Sequence, residues 1–330
     1  IHARKSIKIY TFNMSFSRKE ITQKMKIISH APTRIGLLGG GTDIGPYAKK
    51  YGGVCLNMAI NVRQHIKIDD VGSRQIIPEG SNPDFYKTIF KEMGVSENTE
   101  LFADFDGPIE SGLGSSASAA VALVGAIAKL KGEEMTRKEI AEKVWDIEVN
   151  KLGLYGGKQD QYAAAFGGVN VFEFGKEVTV NQLSSSFMEP LLPHLVMFYL
   201  GQNRKSPKIQ ENFRKPSDIQ IGALNAIKEN VLIGLDLLAK KKIEDFGKLM
   251  NQNWQKKKES NGESSNETID LIYERALFLG AWGGKVLGAG GGGHVLFVCP
   301  PEKIHKIVNH LGLEQIDFSI DWQGLDVRRI

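Results

Sequence analysis

The sequence predicts an α+β chain of two domains, divided near residue 190. Three observations predict it. The chain has 330 residues, a length at which two cores are expected rather than one. Strand-like and helical runs occur on both sides of the proline-bounded stretch EPLLP at 189–193. After it come a strand, three helical segments, paired strands around a glycine loop, a helix and a last strand, an α+β order.

Taken along the chain, MKIISHA (25–31) and GVCLNMAINVRQHIKID (53–69) read as strands, the second alternating apolar and polar residues in its later half. The intervening PTRIGLLGGGTDIGPY is too rich in glycine to be regular. SNPDFYKTIFKEMG (81–94) reads as a helix and LFADFD (101–106) as a short strand. An alanine-rich helix follows SGLGSS and runs to about Lys131. TRKEIAEKVWDIEVNKLG (136–153) is a helix with Thr136 and Glu139 at capping-box spacing. Residues 167–183 read as a hairpin and 194–201 as a strand. Helices are expected at 217–240, 242–258 and 266–281. KVLG enters the glycine loop at 288–293, HVLFVCP leaves it, and a helix at 301–311 and a strand around 315–329 close the chain.

Composition excludes several classes. Residues 1–24 carry Arg4, Lys5, Lys8, Arg18, Lys19 and Lys24 against Glu20, so the net charge of +4 is concentrated there and the remainder comes to −1. No basic surface argues for nucleic acid. No apolar run reaches membrane-spanning length, the longest at 117–128 being interrupted by Ser118 and Gly125. Cys55 and Cys299 read as buried free thiols. Residues 1–24 read as an upstream extension, with a flexible arm or a targeting segment as alternatives, and the working chain as starting near Met25.

The chemistry gathers in glycine clusters. In SGLGSSA (111–117) two glycines and three serines sit where a helix opens, and free N–H groups and the helix dipole there favour an anion. The run lacks the lysine of a P-loop. Gly112-x-Gly114-x-x-Ala117, with Glu133 beyond it, matches the dinucleotide fingerprint, but polar, proline-broken DGPIES precedes it instead of a buried strand. Gly288-x-Gly290-x-x-Gly293 lies between strands and is rejected for the same purpose. A bare capping turn and a phosphate cradle stand level on this motif alone. Asp160, within GLYGGKQDQYAAAFGG, reads as a helix cap or a catalytic carboxylate. Glu148 reads as a solvated helix residue or a metal ligand. Arg34 and Asp43, flanking GLLGGGT, read as loop ion-pair partners or site residues.

The ordered set APTRIGLLGGGTD, SGLGSSA and GAGGGG resembles the three motifs of the GHMP kinases, from about residue 27 onward. Within that family GGGTDIGPYAKKYGGVCLNMAIN, GGKQDQYAAAFGG and GGKVLGAGGGGHVLFVCPPEK resemble the sugar-1-kinases of D-glycero-D-manno-heptose 7-phosphate, with L-fucose kinases as the competitor. The resemblance implies a ribosomal-protein-S5-like first domain (25–190) and a ferredoxin-like second domain (191–330). It implies a cytoplasmic enzyme using ATP and Mg²⁺ on a small sugar phosphate, and is compatible with a homodimer. Gly112, Leu113, Gly114, Ser115, Ser116 and Ala117 match the ATP phosphate loop. Ser115 or Ser116 with Glu148 would hold Mg²⁺. Asp160 matches the catalytic aspartate, and Arg34 would restrain it or stabilise the transferring phosphoryl. Gly40, Gly41, Thr42, Asp43 and Gly157 would contact the sugar, and Gly290, Gly291 and Gly292 would approach substrate and phosphates.

Arg204, Lys205 and Ser206, after a strand, offer a seat for the sugar 7-phosphate; an ordinary basic loop is the alternative. The lysine runs 240–242 and 256–258 read as solvated helix faces. NGESSN (261–266) reads as a mobile connection that reaches the cleft with Ser264, Ser265 or Asn266. His65, His194 and His294 read as structural. Readings of a different class are a nucleotide or sugar-phosphate sensor without turnover and a nicotinamide oxidoreductase.

Overall fold

The computed structural model describes residues 26–69, 74–96, 99–108, 111–201 and 214–330. The expected extension at 1–24 and the loop carrying Arg204, Lys205 and Ser206 lie outside the described residues. Strands β1 (Lys26–Leu38), β2 (Gly53–Asp69), β3 (Gln75–Ile76), β4 (Glu100–Phe105), β5 (Val169–Phe174), β6 (Val178–Leu183) and β11 (Asp326–Arg329) form one sheet. β2 pairs with β1 along one edge, while β5 and β4 share the other edge, at Gly53–Met58 and Gln64–Asp69 respectively. The second sheet is antiparallel, in the order β10 (Glu314–Ile316), β7 (Leu195–Gly201), β9 (Gly293–Val298), β8 (Gly283–Val286).

Helices α1 (Gly45–Tyr51), α2 (Pro83–Glu92), α3 (Ser115–Lys131), α4 (Arg137–Asp146) and α5 (Gln159–Phe166) belong to the first half. The short α6 (Ser185–Met188) precedes β7, and α7 (Asp218–Ala239), α8 (Ile243–Ser260), α9 (Glu267–Leu279) and α10 (Pro301–Leu311) follow it. Helix α3 is buried on every side from Ala117 to Ala128, which explains its alanine-rich, nearly non-amphipathic sequence. It packs on β1 and β2, with α4 and α5 beside it, over a core that includes Ile27, Ile66, Phe90, Leu123 and Tyr162. A second core lies on the opposite side of β1 and β2, where Ile35, Leu37, Leu56 and Met58 meet Val231 of α7, Phe246 and Met250 of α8, and Leu296 of β9. A third, around Phe198, Trp254, Tyr273 and Phe297, fills the space between the second sheet and α8–α10.

Three expectations are corrected. The glycine-rich stretch is not irregular throughout: β1 continues through Arg34 to Leu38, because its backbone stays paired with β2 from Thr33↔Ile60 to Leu38↔Leu56. A bulge between Pro32 and Thr33 bends the ribbon, so that Ile27 and Ala31 enter the first core while Ile35 and Leu37 enter the second. Only 39–44 is non-repetitive before α1, whose first turn accommodates Pro46. The helix after Thr136 keeps its capping box but widens at Ile147–Lys151 into a π turn. Finally, the terminal strand is two strands: β10 stays in the second sheet, and β11 crosses back to pair with β1. Leu325 and Val327 pack on the α3 core there, over Gly125, where a Cβ would stand 3.0 Å from Leu325.

Candidate active site

Arg34 and Asp160 are 126 positions apart and form one unit. Arg34 sits on β1, and its backbone N–H is fixed by Leu113 O at 2.9 Å. Its Nε and Nη2 donate to Asp160 Oδ1 and Oδ2 at 2.8 and 2.7 Å, a two-pronged pairing. Its Nη1 donates to Gly112 O at 2.6 Å. Asp160 lies in the first turn of α5, where the helix dipole favours a carboxylate, but the N-cap is Lys158; the capping reading of Asp160 therefore falls. A Cβ at Gly114 would stand 3.1 Å from Asp160 Oδ2, so the loop before α3 abuts the paired carboxylate.

Gly112 and Gly114 take positive φ (78° and 74°), and α3 starts at Ser115 with no acidic residue in its first turn, leaving its N–H groups open to an anion. Gly112, Gly114, Ser115, Ser116 and Ala117 line a cavity of about 470 Å³ with Arg34, Glu148 and Asp160. Leu113 does not; it is buried in the second core and anchors Arg34 from behind. The π turn places Glu148 inward, buried, with Oε1 accepting from Ser116 Oγ at 3.2 Å and Oε2 from Gln161 Nε2 at 2.5 Å. Burial pushes the Glu148 carboxyl up to about 7, partly offset by the Gln161 bond. Among the described residues no cluster of three His, Cys, Asp or Glu forms a metal cage. Two hard oxygens, Ser116 Oγ and Glu148 Oε1, fit Mg²⁺ and would hold it, where it would supply positive charge to phosphate oxygens. Ser115 lines the cavity without touching Glu148.

Close to Asp160, Asp43 is buried and accepts from Gly41 N–H at 3.2 Å, and from Gln159 through Nε2 and the backbone N–H, both at 3.3 Å. Burial, reinforced by the charge of Asp160, pushes it up to about 6. Gly157 makes room for it, since a Cβ would fall 1.8 Å from Asp43 Oδ2. Gly40, Gly41, Asp43 and Gly157 line the cavity. Thr42 is turned away: its hydroxyl donates to Gly39 O at 2.8 Å and accepts from Val54 N–H at 3.1 Å, bracing the loop.

From the second domain, the glycine loop reaches the cavity with Gly288 and Ala289, not with Gly290–Gly292. A Cβ at Gly288 would stand 2.7 Å from Gly112 Cα, so the two glycine loops touch backbone to backbone. Gly290 backs onto Ser264, whose carbonyl accepts from Gly291 N–H at 2.7 Å. NGESSN is thus an ordered brace: Asn266 caps α9, Ser265 bonds Asp270, and 264–266 stay off the cavity wall. The lysine run 256–258 also departs from expectation. Lys256 and Lys258 pair with Glu259 and Asp270, but Lys257 turns inward to the carbonyl of Gly288. Lys285 on β8, 4% exposed, donates to Gly36 O at 2.7 Å. Lys257, Lys285, Gln159 and Gln161 line the cavity and carry no sequence signal beyond their neighbourhood to the motifs. His65, His194 and His294 hold Asp106, Cys299 O and Ser111 O, as structural histidines do.

Comparison with known proteins decides the family. The description "GHMP kinases N terminal domain" matches residues 84–168, and "GHMP kinases C terminal" matches 235–315. A D-glycero-alpha-D-manno-heptose 7-phosphate kinase of Campylobacter jejuni is 31% identical over 93% of this chain and 100% of that one. The chain belongs to the GHMP kinases. A bifunctional fucokinase/GDP-fucose pyrophosphorylase of Arabidopsis thaliana is 24% identical over 88% of this chain and 31% of its own length. The crystal structure of a D-glycero-D-manno-heptose 1-phosphate kinase from Bacteroides thetaiotaomicron superposes with a TM-score of 0.73, at 26% identity, over 92% of this chain and 99% of that one. The protein is thus a two-domain kinase of the sugar-phosphate type, in a family that uses ATP to phosphorylate an alcohol. Among the described residues no helix is long and apolar enough to cross a membrane.

Proposed function

We propose that this GHMP kinase transfers the γ-phosphoryl group of ATP to the C1 hydroxyl of D-glycero-D-manno-heptose 7-phosphate. The product would be the 1,7-bisphosphate, a precursor of nucleotide-activated heptose for surface polysaccharide. The observation that carries the reading is the Arg34–Asp160 pairing, set between the loop before α3 and Asp43. Full-length likeness to the Campylobacter heptose 7-phosphate kinase supports the sugar.

In this reading the N–H groups of 112–116 cradle the ATP phosphates, and Ser116 with Glu148 holds Mg²⁺, which supplies charge neutralisation to the phosphates. Arg34 holds the Asp160 carboxylate in place, with three of its five N–H donors already committed. Asp160 accepts the proton of the C1 hydroxyl as its oxygen attacks the γ-phosphorus and ADP leaves. Asp43 and Gln159 bind ring hydroxyls. Arg204, Lys205 and Ser206 would hold the 7-phosphate.

L-Fucose is the second reading, favoured by the likeness to the bifunctional fucokinase/GDP-fucose pyrophosphorylase of Arabidopsis thaliana. The test is ADP release with ATP·Mg²⁺ and heptose 7-phosphate, run beside L-fucose, D-galactose and mevalonate. Turnover confined to the heptose phosphate supports the proposal. Turnover on free L-fucose instead would transfer the assignment to fucose activation.

A further inference from the structure

Two ammonium groups on the second-domain wall of the cavity form no direct ion pair among the described residues. Among the described residues neither Lys257 nor Lys285 has a carboxylate within ion-pair distance, although three carboxylates (Asp43, Glu148 and Asp160) line the same cavity. Each donates one hydrogen bond to a main-chain carbonyl, Lys257 to Gly288 and Lys285 to Gly36. An ammonium has three donors, so two remain on each. Lys285 is buried and Lys257 half-buried, and a cation so placed without a direct ion pair is costly unless a ligand supplies the nearby negative charge.

Their location identifies the ligand. Gly36 lies two residues along β1 from Arg34, and Gly288 packs on Gly112, whose carbonyl Arg34 also holds. The two lysines therefore flank the Arg34–Asp160 pair from different directions, Lys257 where the two glycine loops meet and Lys285 toward Gly36 and Gly40. Burial lowers both pKa values, that of Lys285 to about 8; the charges of Lys285 and Arg34 lower Lys257 further and Arg34 lowers Lys285, while Asp43 and Asp160 oppose the shift of Lys257. An arriving dianion would reverse that effect.

We infer that Lys257 and Lys285 form a phosphoryl seat that receives the γ-phosphoryl group of ATP as it passes to the acceptor, so that the second domain supplies charge to the transfer. This rests on reading the cavity as the site of transfer, and not on which sugar is the acceptor.

The test is calorimetric binding of Mg²⁺·ADP and Mg²⁺·AMP-PNP to wild type, Lys257→Met and Lys285→Met, with no acceptor present. Wild type should favour AMP-PNP, and each substitution should cut that preference about 10-fold, as loss of a charge-assisted hydrogen bond does. On any acceptor that wild type phosphorylates, kcat should fall on the order of 100-fold. Lys257→Gln and Lys285→Gln keep a donor for the carbonyls without charge, and should reproduce both losses if a methionine variant does not fold. An AMP-PNP preference unchanged in folded variants overturns the seat, as does an effect confined to the acceptor KM. Failure of every sugar in the acceptor panel would remove the proposed substrate while leaving the nucleotide measurement valid.

Discussion

Asp43 is held where its charge is disfavoured. In the unfolded chain it loses its proton near the ordinary carboxylate value of 3.8, whereas burial in the fold delays that to about 6. A raised carboxyl pKa means the folded state binds the extra proton, so this group's contribution to stability falls as pH rises through that window. Above it the cost approaches about 3 kcal/mol, roughly two pKa units at 1.4 kcal/mol each. Asp43→Asn should therefore raise Tm at pH 7–8, with the gap closing toward pH 4, while acceptor turnover collapses. Melting curves across that range would check it, and a pH-independent gap would count against the assignment. Asp160 forms a direct ion pair with Arg34. Asp160→Asn should fold with normal secondary structure and lose about 100-fold or more in kcat, the range of a general base. Near-normal turnover would defeat its role. Both aspartates stand out in the sequence, since each lies within a glycine-bounded motif. Lys257 does not: within a run of three lysines only the phase of α8 against the cavity separates it from its neighbours.

The catalytic elements are organised by close backbone approach. The loop before α3 and the loop between β8 and β9 meet at Gly112 and Gly288, where side chains would collide. Gly157 has the same character toward Asp43. Gly157→Ala should displace Asp43 without unfolding α5, raising acceptor KM at least 10-fold and leaving the nucleotide Kd within about 2-fold, as an interaction worth over 1.4 kcal/mol requires. A rise in both constants would show that the loop serves the whole cavity. The clusters were legible as tight positions from composition, although not what each would approach. The π turn at Ile147–Lys151 was not legible, because one widened turn leaves the helical pattern of 136–153 intact.

The whole molecule is closed by its last strand. β11 pairs with β1, and the segment before it is fastened by buried Asp321, which holds Arg63 and accepts from the backbone of Gln323 and Gly324. Asp321→Ala should lower stability by about 3 kcal/mol, as loss of a partner from a buried ion pair does. Its kcat should change little, since Asp321 is off the cavity wall; denaturant melts beside steady-state rates would test both. By itself the sequence determined most of the secondary-structure order, the three glycine motifs and the family, because periodicity, caps and turn chemistry are local and the motif spacing survives along the chain. Only the tertiary structure decided which donors converge. It put Lys257 and Lys285 beside Arg34, moved Thr42 and Gly290–Gly292 off the wall, and returned the chain's end to the first sheet. Those outcomes depend on which face of each element is covered, and that is set by contacts between residues far apart in the chain.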